Sequence, residues 1–290
     1  MNLQFDKKVW EIIPSHPVKT LQLFITNRCN KKCPECFYGA YLDKEDMPFD
    51  DYKSYIKKFC DPVNVPKVII IGGEPTLHPR LQDMVKFNYD NGLRTTIYTN
   101  GTQPGALENL VDLNLTVRVG VHSLIFGPKP IIKLQPPDYK ITIVFMLDTF
   151  NFKDLDQIIN YTEQNFNCED FYISSIRELQ TSRNFWLDTE NTIPLSPALK
   201  FSYPNIINSF LSGYNGNIKR LHICKRGVFE DGDQVQRCRY LNIFPDGNMV
   251  VCPWDIPLGI NRFKDTEPHF EICKKNNGKC ILQKVILERR

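Results

Sequence analysis

Three cysteines lie within eight residues near the start of the chain, close enough together to bind one metal centre. They are Cys29, Cys33 and Cys36, and they follow the apolar run 21–26. That run is typical of a buried strand, which puts the cysteines on the loop at its C-terminal end. Three thiolates on one loop can bind three irons of an iron–sulfur cube and leave the fourth iron without a protein ligand. Structural zinc is the alternative, but it favours four ligands, and no histidine or fourth cysteine lies nearby in the sequence.

A glycine pair and a carboxylate follow the next apolar run, residues 68–71. These residues are Gly72, Gly73 and Glu74. Two glycines allow the backbone to approach a ligand closely, and the carboxylate can accept hydrogen bonds from an ammonium group. In isolation the three residues are equally typical of an ordinary strand-to-helix turn. Their place at the end of the strand that follows the cysteine loop indicates that both motifs contribute to one site.

The two motifs together resemble the radical S-adenosylmethionine (radical SAM) superfamily, whose hallmarks are CxxxCxxC and a Gly-Gly-Glu motif one strand later. Thr99-Asn100-Gly101, after the strand predicted at 94–98, is similar to that family's third strand end. The resemblance implies that the three cysteines hold a [4Fe-4S] cluster whose open iron binds S-adenosylmethionine (SAM). It also implies reductive cleavage of SAM and hydrogen abstraction from a substrate by the resulting 5′-deoxyadenosyl radical.

The same resemblance implies a set of residues in contact with SAM. They are Gly72, Gly73, Glu74, Asn100, His122, Ser123 and Arg177. We expect Glu74 to accept hydrogen bonds from the SAM ammonium group and Arg177, after the sixth strand, to pair with the SAM carboxylate. His122 and Ser123, at the end of the fourth strand, match the family's contacts to ribose or carboxylate. A packed polar pair and a surface arginine are the alternative interpretations of these last three residues.

The cysteine loop departs from the family pattern at one position. The residue before the third cysteine is usually aromatic and packs near adenine, whereas here it is Glu35. Phe37 and Tyr38 are the candidates to replace that aromatic ring. A different way of holding the adenine is the alternative.

Strands that alternate with helices predict the rest of the fold. The six predicted strands cover 21–26, 68–71, 94–98, 115–121, 139–147 and 170–174. Helices are predicted at 49–60, 79–91, 106–113 and 152–166. This alternation indicates right-handed βαβ units and a parallel sheet, which resembles the partial (β/α)6 barrel of the family with its site at the C-terminal strand ends. The proline-rich passage 127–137 departs from the pattern, because a regular helix cannot form there.

The last quarter of the chain carries a second group of cysteines. Two apolar runs flank Pro245-Asp246-Gly247-Asn248, which predicts a β-hairpin with Cys238 and Cys252 near its ends. Cys273 and Cys280 can supply two more ligands, and the spacing alone also allows zinc. The segment is similar to the SPASM/twitch extensions of radical SAM enzymes, which hold auxiliary [4Fe-4S] clusters. Only five cysteines lie here, which favours one auxiliary cluster and leaves Cys224 as a spare.

The whole chain then divides into three predicted parts. Residues 1–19 form a polar lead-in, residues 20–213 the radical SAM partial barrel, and residues 214–290 a small Cys-rich hairpin domain with the auxiliary cluster. At 290 residues the chain is long enough to bury a large core.

Composition limits the function classes. With 42% hydrophobic and 24% charged residues and a net charge of +3, the chain has the composition of a globular protein, and we expect no nucleic-acid partner. The basic run 219–226 is interpreted as a solvated face. No apolar run approaches the roughly 20 residues that span a bilayer, and the N-terminus carries no signal segment. Ten cysteines then predict metal binding in a reducing compartment, hence a cytoplasmic location.

The sequence therefore predicts a radical SAM enzyme that acts on a small molecule or a peptide and takes electrons from a donor such as flavodoxin or ferredoxin. A tRNA- or nucleoside-modifying member of the same family is the first alternative, and the basic run 219–226 is its only support. A non-catalytic zinc or iron–sulfur binding module is the second alternative. Such a module would not need Gly72-Gly73-Glu74 beside the cysteine loop, so that motif favours an enzyme.

Overall fold

One open sheet organises the computed structural model, which describes residues 20–31, 36, 38, 42–110, 113–121, 140–147, 155–165, 168–175, 220–224, 240–247 and 249–250. Its strands are β1 (Thr20–Phe24), β2 (Lys67–Ile71), β3 (Arg94–Thr99), β4 (Leu115–Val121), β5 (Lys140–Leu147), β6 (Cys168–Ser175), β7 (Arg220–Cys224), β8 (Tyr240–Ile243) and β9 (Met249–Val250). They lie in the order β7-β6-β5-β4-β3-β2-β1-β8-β9. Strands β1 to β6 are the six predicted strands, and each pairs in parallel with the next along the chain. The predicted class, an α/β partial barrel, is confirmed.

Helices connect several of these strands. The α-helices are α1 (Phe49–Phe59), α2 (Leu81–Asp90) and α3 (Leu155–Asn165), and short 3₁₀ helices cover Pro75–Leu77 and Pro104–Leu110. The helix predicted near 106–113 is present in part, as the 3₁₀ helix Pro104–Leu110. It begins with Pro104 and Gly105, both poor helix formers, and the tighter winding suits so short a connection. None of the described helices is long and apolar enough to cross a membrane.

The two faces of the sheet differ in chemistry, as β4 shows. Leu115, Val117, Val119 and Val121 are buried in the main core, which also contains the buried residues of α1, α2 and α3. Because side chains alternate along a strand, Thr116, Arg118 and Gly120 belong to the opposite face. We call this opposite face, turned away from the helices, the inner face of the sheet. On β4 it carries Thr116 and Arg118, whereas the helix-covered face carries aliphatic residues.

Two parallel strands near the C-terminus extend the sheet beyond the six predicted strands. Strand β7 pairs in parallel with β6, and β8 pairs in parallel with β1. Within the basic run 219–226, Arg220–Cys224 forms the edge strand β7. The interpretation of this run as a solvated face stays a prediction. The domain boundary at 213/214 stays a prediction, although both of these strands join the same sheet as β1 to β6.

The predicted C-terminal hairpin is present. Strands β8 and β9 pair antiparallel, with Asn242 opposite Val250 and Ile243 opposite Met249. The turn closes through a hydrogen bond of 2.9 Å from the amide of Gly247 to the carbonyl of Phe244. Gly247 has φ of 80°, a left-handed conformation that glycine adopts without strain. Because β8 runs parallel to β1, this turn lies at the same end of the sheet as the cysteine loop.

Candidate active site

The ends of β1 and β2 stay paired beyond the strands and bring the two sequence motifs together. The amide of Ile25 donates to the carbonyl of Ile71 over 2.9 Å. The amide of Gly73 then donates to the carbonyl of Thr26 over 2.8 Å, and that of Glu74 to the carbonyl of Arg28 over 2.7 Å. Glu74 is thus held against the residue that immediately precedes the first cysteine of the loop.

The two glycines are required because the two loop backbones pass so close to each other. A Cβ atom added to Gly72 would lie 2.4 Å from the carbonyl oxygen of Thr26, and one added to Gly73 would lie 2.2 Å from that of Arg28. Both distances are far below van der Waals contact, and the obstructing atoms are backbone. The glycines therefore face the cysteine loop itself, whereas the sequence analysis attributed them to a ligand. Their contact with SAM stays a prediction.

Glu74 is a buried carboxylate with an extensive set of donors. It is 1% exposed. Its Oε1 accepts hydrogen bonds from the amide of Thr76 at 3.1 Å, the hydroxyl of Thr76 at 2.6 Å and the hydroxyl of Thr99 at 2.6 Å. Its Oε2 accepts one from the amide of Asn100 at 2.6 Å. Oε2 can therefore accept a further hydrogen bond. No cation among the described residues forms an ion pair with the carboxylate.

Cys29 lies within the electrostatic reach of Glu74. Burial, first, and the Glu74 charge raise the pKa of the Cys29 thiol, although hydrogen bonds from the Lys31 amide and the Asn100 side chain partly oppose this. A thiol of this kind becomes a thiolate when it binds a metal, because the metal charge replaces the proton. Cys36 is half-buried. Cys33 lies outside the described residues, and among those that are described no three metal-binding side chains come together.

Amide side chains connect the cysteine loop to the end of β3. Asn100 donates to the Oδ1 of Asn30 over 2.9 Å, and Asn30 donates to the hydroxyl of Thr102 over 2.7 Å. The Asn100 side chain also lies close enough to Cys29 to lower the pKa of its thiol. The prediction that Asn100 belongs to the SAM site stays a prediction, and its observed partners place it between Cys29 and Glu74.

An ion pair that the sequence analysis missed fixes the start of the loop. Arg28 pairs with Asp46 through two hydrogen bonds, of 3.0 Å from Nε and 2.6 Å from Nη2. Its Nη2 also donates to the carbonyl of Leu77 over 2.6 Å, and the hydroxyl of Thr26 donates to Asp46 over 2.5 Å. This pair joins the cysteine loop to the segment before α1 and to the 3₁₀ helix that follows Glu74.

Three aromatic rings pack beneath the other end of the loop. Phe24 stacks on Tyr38 with centroids 4.8 Å apart and on Phe244 with centroids 4.7 Å apart. Cys36 packs against this aromatic stack, and the Tyr38 hydroxyl donates to Oδ1 of Asn27. Tyr38 is 1% exposed within this stack. Phe37, Tyr38 and a different way of holding the adenine all stay predictions. Phe244 follows β8, so the C-terminal hairpin supports the cysteine loop directly.

Several predicted site residues lie outside the described residues. They are Cys33, Phe37, His122, Ser123, Arg177, Cys238, Cys252, Cys273 and Cys280. Their assignments stay predictions. Two further cysteines, Cys60 and Cys168, lie outside both cysteine groups and pack against the main core. Burial raises the pKa of Cys60 to about 12.

Residues 23–124 match the family model of the Radical SAM superfamily. A Pyrococcus furiosus protein, the "Tungsten-containing aldehyde ferredoxin oxidoreductase cofactor-modifying protein", is 43% identical over 90 residues, which cover 29% of this chain and 24% of that protein. The PqqA peptide cyclase of Bradyrhizobium diazoefficiens is 34% identical over 80 residues, which cover 27% of this chain and 21% of that protein. These alignments span about a quarter of the relatives' own length.

Solved structures share the fold over much more of the chain. Streptococcus suis SuiB bound to its precursor peptide SuiA superposes with a TM-score of 0.66 at 19% identity, over 90% of this chain and 65% of SuiB. SuiB bound to S-adenosylmethionine superposes with a TM-score of 0.64 at 17% identity, over 93% of this chain and 71% of SuiB. The family match covers both the cysteine loop and the Gly-Gly-Glu motif. Residues 23–124 are therefore the part of the chain that is similar to the Radical SAM superfamily.

Proposed function

We propose that this protein is a radical SAM enzyme that cleaves S-adenosylmethionine reductively and abstracts hydrogen from a peptide or small-molecule substrate. The observation that carries the proposal is the Glu74 carboxylate. It is 1% exposed, it lies beside Cys29, and no cation among the described residues neutralises it. A buried charge without a counter-ion is costly even when it is hydrogen-bonded, so the site favours a ligand that brings a positive group. The ammonium group of SAM is such a group.

The donor chemistry of the loop fits a [4Fe-4S] cluster. Cys29, Cys33 and Cys36 would hold it, and three thiolates leave one iron open for the amino and carboxylate groups of SAM. When bound, the cluster supplies the electron that breaks a sulfonium C–S bond of SAM. Glu74 would accept the ammonium hydrogen bond through Oε2, and Asn100 would fix both Glu74 and the Cys29 sulfur. The glycine pair keeps the two loops in contact, so the carboxylate and the thiolate stay at a fixed separation.

The substrate class and the remaining partners belong to the same proposal. SuiB was solved with a precursor peptide, and another relative is a peptide cyclase, which favours a peptide substrate. The GTP 3',8-cyclase of Aquifex aeolicus, 29% identical over 119 residues, keeps a small molecule as the second candidate. We infer that Cys238, Cys252, Cys273 and Cys280 hold an auxiliary [4Fe-4S] cluster, with zinc as the alternative. Flavodoxin or ferredoxin would supply the electron.

The test is anaerobic reconstitution followed by incubation with SAM and a reductant. We expect 5′-deoxyadenosine to form, and deuterium from a labelled substrate pool to appear in it. Cys29→Ala should abolish this product. The matched control is Cys60→Ala, which removes a thiol that packs against the core outside the loop and should leave the product unchanged. Equal product from both variants would overturn the assignment of the loop.

A further inference from the structure

Arg118 lies on the inner face of the sheet, in the central part of β4. Within β4 it is paired in register with Tyr98 of β3 and Thr142 of β5. Tyr98 precedes Asn100 by two residues, and Asn100 contacts both Glu74 and Cys29. Arg118 therefore lies on the inner face at the level of Tyr98, two residues before Asn100 along the chain.

The guanidinium group of Arg118 is held between two aromatic rings. Its central carbon lies 5.3 Å from the ring centroid of Tyr98 and 5.2 Å from that of Tyr172. Its Nη1 donates to the hydroxyl of Tyr98 over 2.7 Å. Such contacts fix the plane of the group and leave its edge available for a planar ligand.

Most of the hydrogen-bonding capacity of Arg118 is unused. A guanidinium group has five N–H donors, and within the described chain the Tyr98 hydroxyl is its only hydrogen-bond acceptor. The Nε atom is buried and has no acceptor there. No carboxylate of the described residues pairs with it either. A buried donor without an acceptor is costly, and the outer edge of an arginine matches the two oxygens of an oxyanion.

Two more cations add to this positive region. Burial first, and then the charges of Arg118 and Arg94, lower the pKa of Lys67. Lys67 and Arg94 are paired in register at the start of β2 and β3, and no described carboxylate forms an ion pair with Lys67. Lys67 is thus repelled by two further cations, Arg118 and Arg94. Binding of an anion would relieve this repulsion.

We propose that Arg118, flanked by Tyr98 and Tyr172, binds an oxyanion of the substrate, either a carboxylate or a phosphate, inside the open barrel. Only one part of this inference rests on the proposed function, namely that the bound anion belongs to the substrate. The anion site itself is defined by Arg118, its two tyrosines and the neighbouring cations. The substrate would then be held by its charged group on the inner face, with its reacting carbon directed toward the cofactor.

The test uses the reconstituted full-length protein and two probes, inorganic phosphate and succinate. Binding is followed by isothermal titration calorimetry and by tyrosine fluorescence, since Tyr98 and Tyr172 flank the arginine. We expect Arg118→Gln to weaken binding of the preferred probe by roughly tenfold to a hundredfold. Arg118→Lys keeps the charge but loses the planar fork, so it should weaken binding less. The preferred probe distinguishes a phosphate from a carboxylate.

The control is Arg80→Gln. Arg80 also lies over an aromatic ring, at 4.6 Å from the centroid of Phe49, but it is an exposed residue of a surface ion pair. It should leave probe binding unchanged. The anion site would be overturned if the wild-type protein failed to bind either probe at millimolar concentration. It would also be overturned if Arg118→Gln and Arg80→Gln lost the same amount of probe affinity. If Arg118→Gln does not fold, Arg118→Lys and Tyr98→Phe decide, because unchanged binding in both overturns the proposal.

Formation of 5′-deoxyadenosine is measured in the same samples. Anion binding without SAM cleavage would overturn the proposed function and support the site. SAM cleavage without anion binding would overturn the anion site and support the proposed function.

Discussion

Glu74 accepts four hydrogen bonds but is not neutralised by any described cation. Replacing it by glutamine removes the charge and keeps the size of the side chain. We expect Glu74→Gln to weaken SAM binding by at least about tenfold, because a charge-assisted hydrogen bond contributes roughly 1.5–3 kcal/mol. Equilibrium dialysis of the reconstituted protein measures this, and iron content should stay the same.

The control for this prediction is Asp90→Asn, which removes an exposed carboxylate paired with Lys86 at the end of α2. It should leave SAM affinity unaltered. Unchanged affinity in Glu74→Gln as well would place Glu74 outside the SAM site.

His78 is a buried histidine that makes the protein sensitive to acid. Burial lowers its pKa from the ordinary value of 6.5, against smaller opposing effects of the Met47 carbonyl and Asp46. One ring nitrogen lies 3.1 Å from the Met47 carbonyl, and the other accepts a hydrogen bond of 3.0 Å from the Arg80 amide. The folded protein thus holds neutral histidine, with Nε2 as donor and Nδ1 as acceptor.

A folded-state pKa below the unfolded value means that the unfolded chain binds the proton more readily. The contribution of His78 to stability is therefore complete above about pH 6.5 and is lost as the pH falls through the folded-state pKa. We expect the unfolding temperature to drop below pH 6.5, and to drop less in His78→Gln. Thermal unfolding between pH 5 and pH 8 checks this, and parallel pH curves for the two proteins would contradict it.

At the scale of elements, Gly73 determines how closely the ends of β1 and β2 approach. An added Cβ would lie 2.2 Å from a backbone oxygen of Arg28, so Gly73→Ala must push the two loops apart. We expect a loss of roughly 1–3 kcal/mol in stability and weaker retention of iron. Gly120→Ala is the matched control within β4, because its added Cβ would come no closer than 3.9 Å to any neighbour. Chemical denaturation measures the stability of the two variants. Equal stability of Gly73→Ala and Gly120→Ala would contradict the close approach of the loops that follow β1 and β2.

The ion pair of Arg28 and Asp46 joins three elements at the cysteine loop. Their side chains are 35% and 28% exposed, so solvent screens part of the interaction. We expect Asp46→Ala to cost about 1–2 kcal/mol in stability and to lower iron retention. Asp46→Glu should keep part of the stability and part of the iron retention.

The control pair for Asp46 is Arg80 and Asp83, whose side chains are each 51% exposed. Asp83→Ala should cost less than about 0.5 kcal/mol and leave iron retention unaltered. If chemical denaturation gives equal losses for Asp46→Ala and Asp83→Ala, the ion pair of Arg28 does not support the loop.

Strong local patterns allowed much of the fold to be predicted from the sequence. Each of the strands β1 to β6 is an apolar or β-branched run at a regular interval, and the cysteine loop and Glu74 follow two of them. Strands β7 and β8 were not predicted as part of this sheet, because a short strand carries no local signal of which strand it pairs with. The ion pair of Arg28 with Asp46 spans 18 positions and has no sequence spacing that would reveal it.

Arg118 shows the same limit within the candidate site. Its flanking rings come from β3 and β6, and the sheet order brings them together. Alternation along β4 indicates which face Arg118 occupies, but not which rings lie beside it. Contacts that depend on strand order could therefore be identified only from the structure.

At the scale of the whole molecule, Phe244 connects the C-terminal hairpin to the cysteine loop. It is 3% exposed and stacks on Phe24 and Tyr38. We expect Phe244→Ala to cost roughly 3–5 kcal/mol, as for other buried phenylalanines. It should also speed the loss of iron to a chelator, whereas Phe244→Leu should keep most of the stability.

Val63→Ala serves as the control, because Val63 is 84% exposed. Iron loss from Phe244→Ala at the rate of this control would mean that the hairpin does not support the loop.

The parallel pairing of β1 with β8 also has a consequence for biosynthesis. Ribosomes produce Thr20–Phe24 early, whereas Tyr240–Ile243 emerges 220 positions later, counted from Thr20 to Tyr240. At roughly 5–20 residues per second, about 10–40 seconds separate the two. During that interval β1 has an unpaired edge, which is a template for aggregation. A nascent chain therefore needs protection at β1 until β8 has been translated.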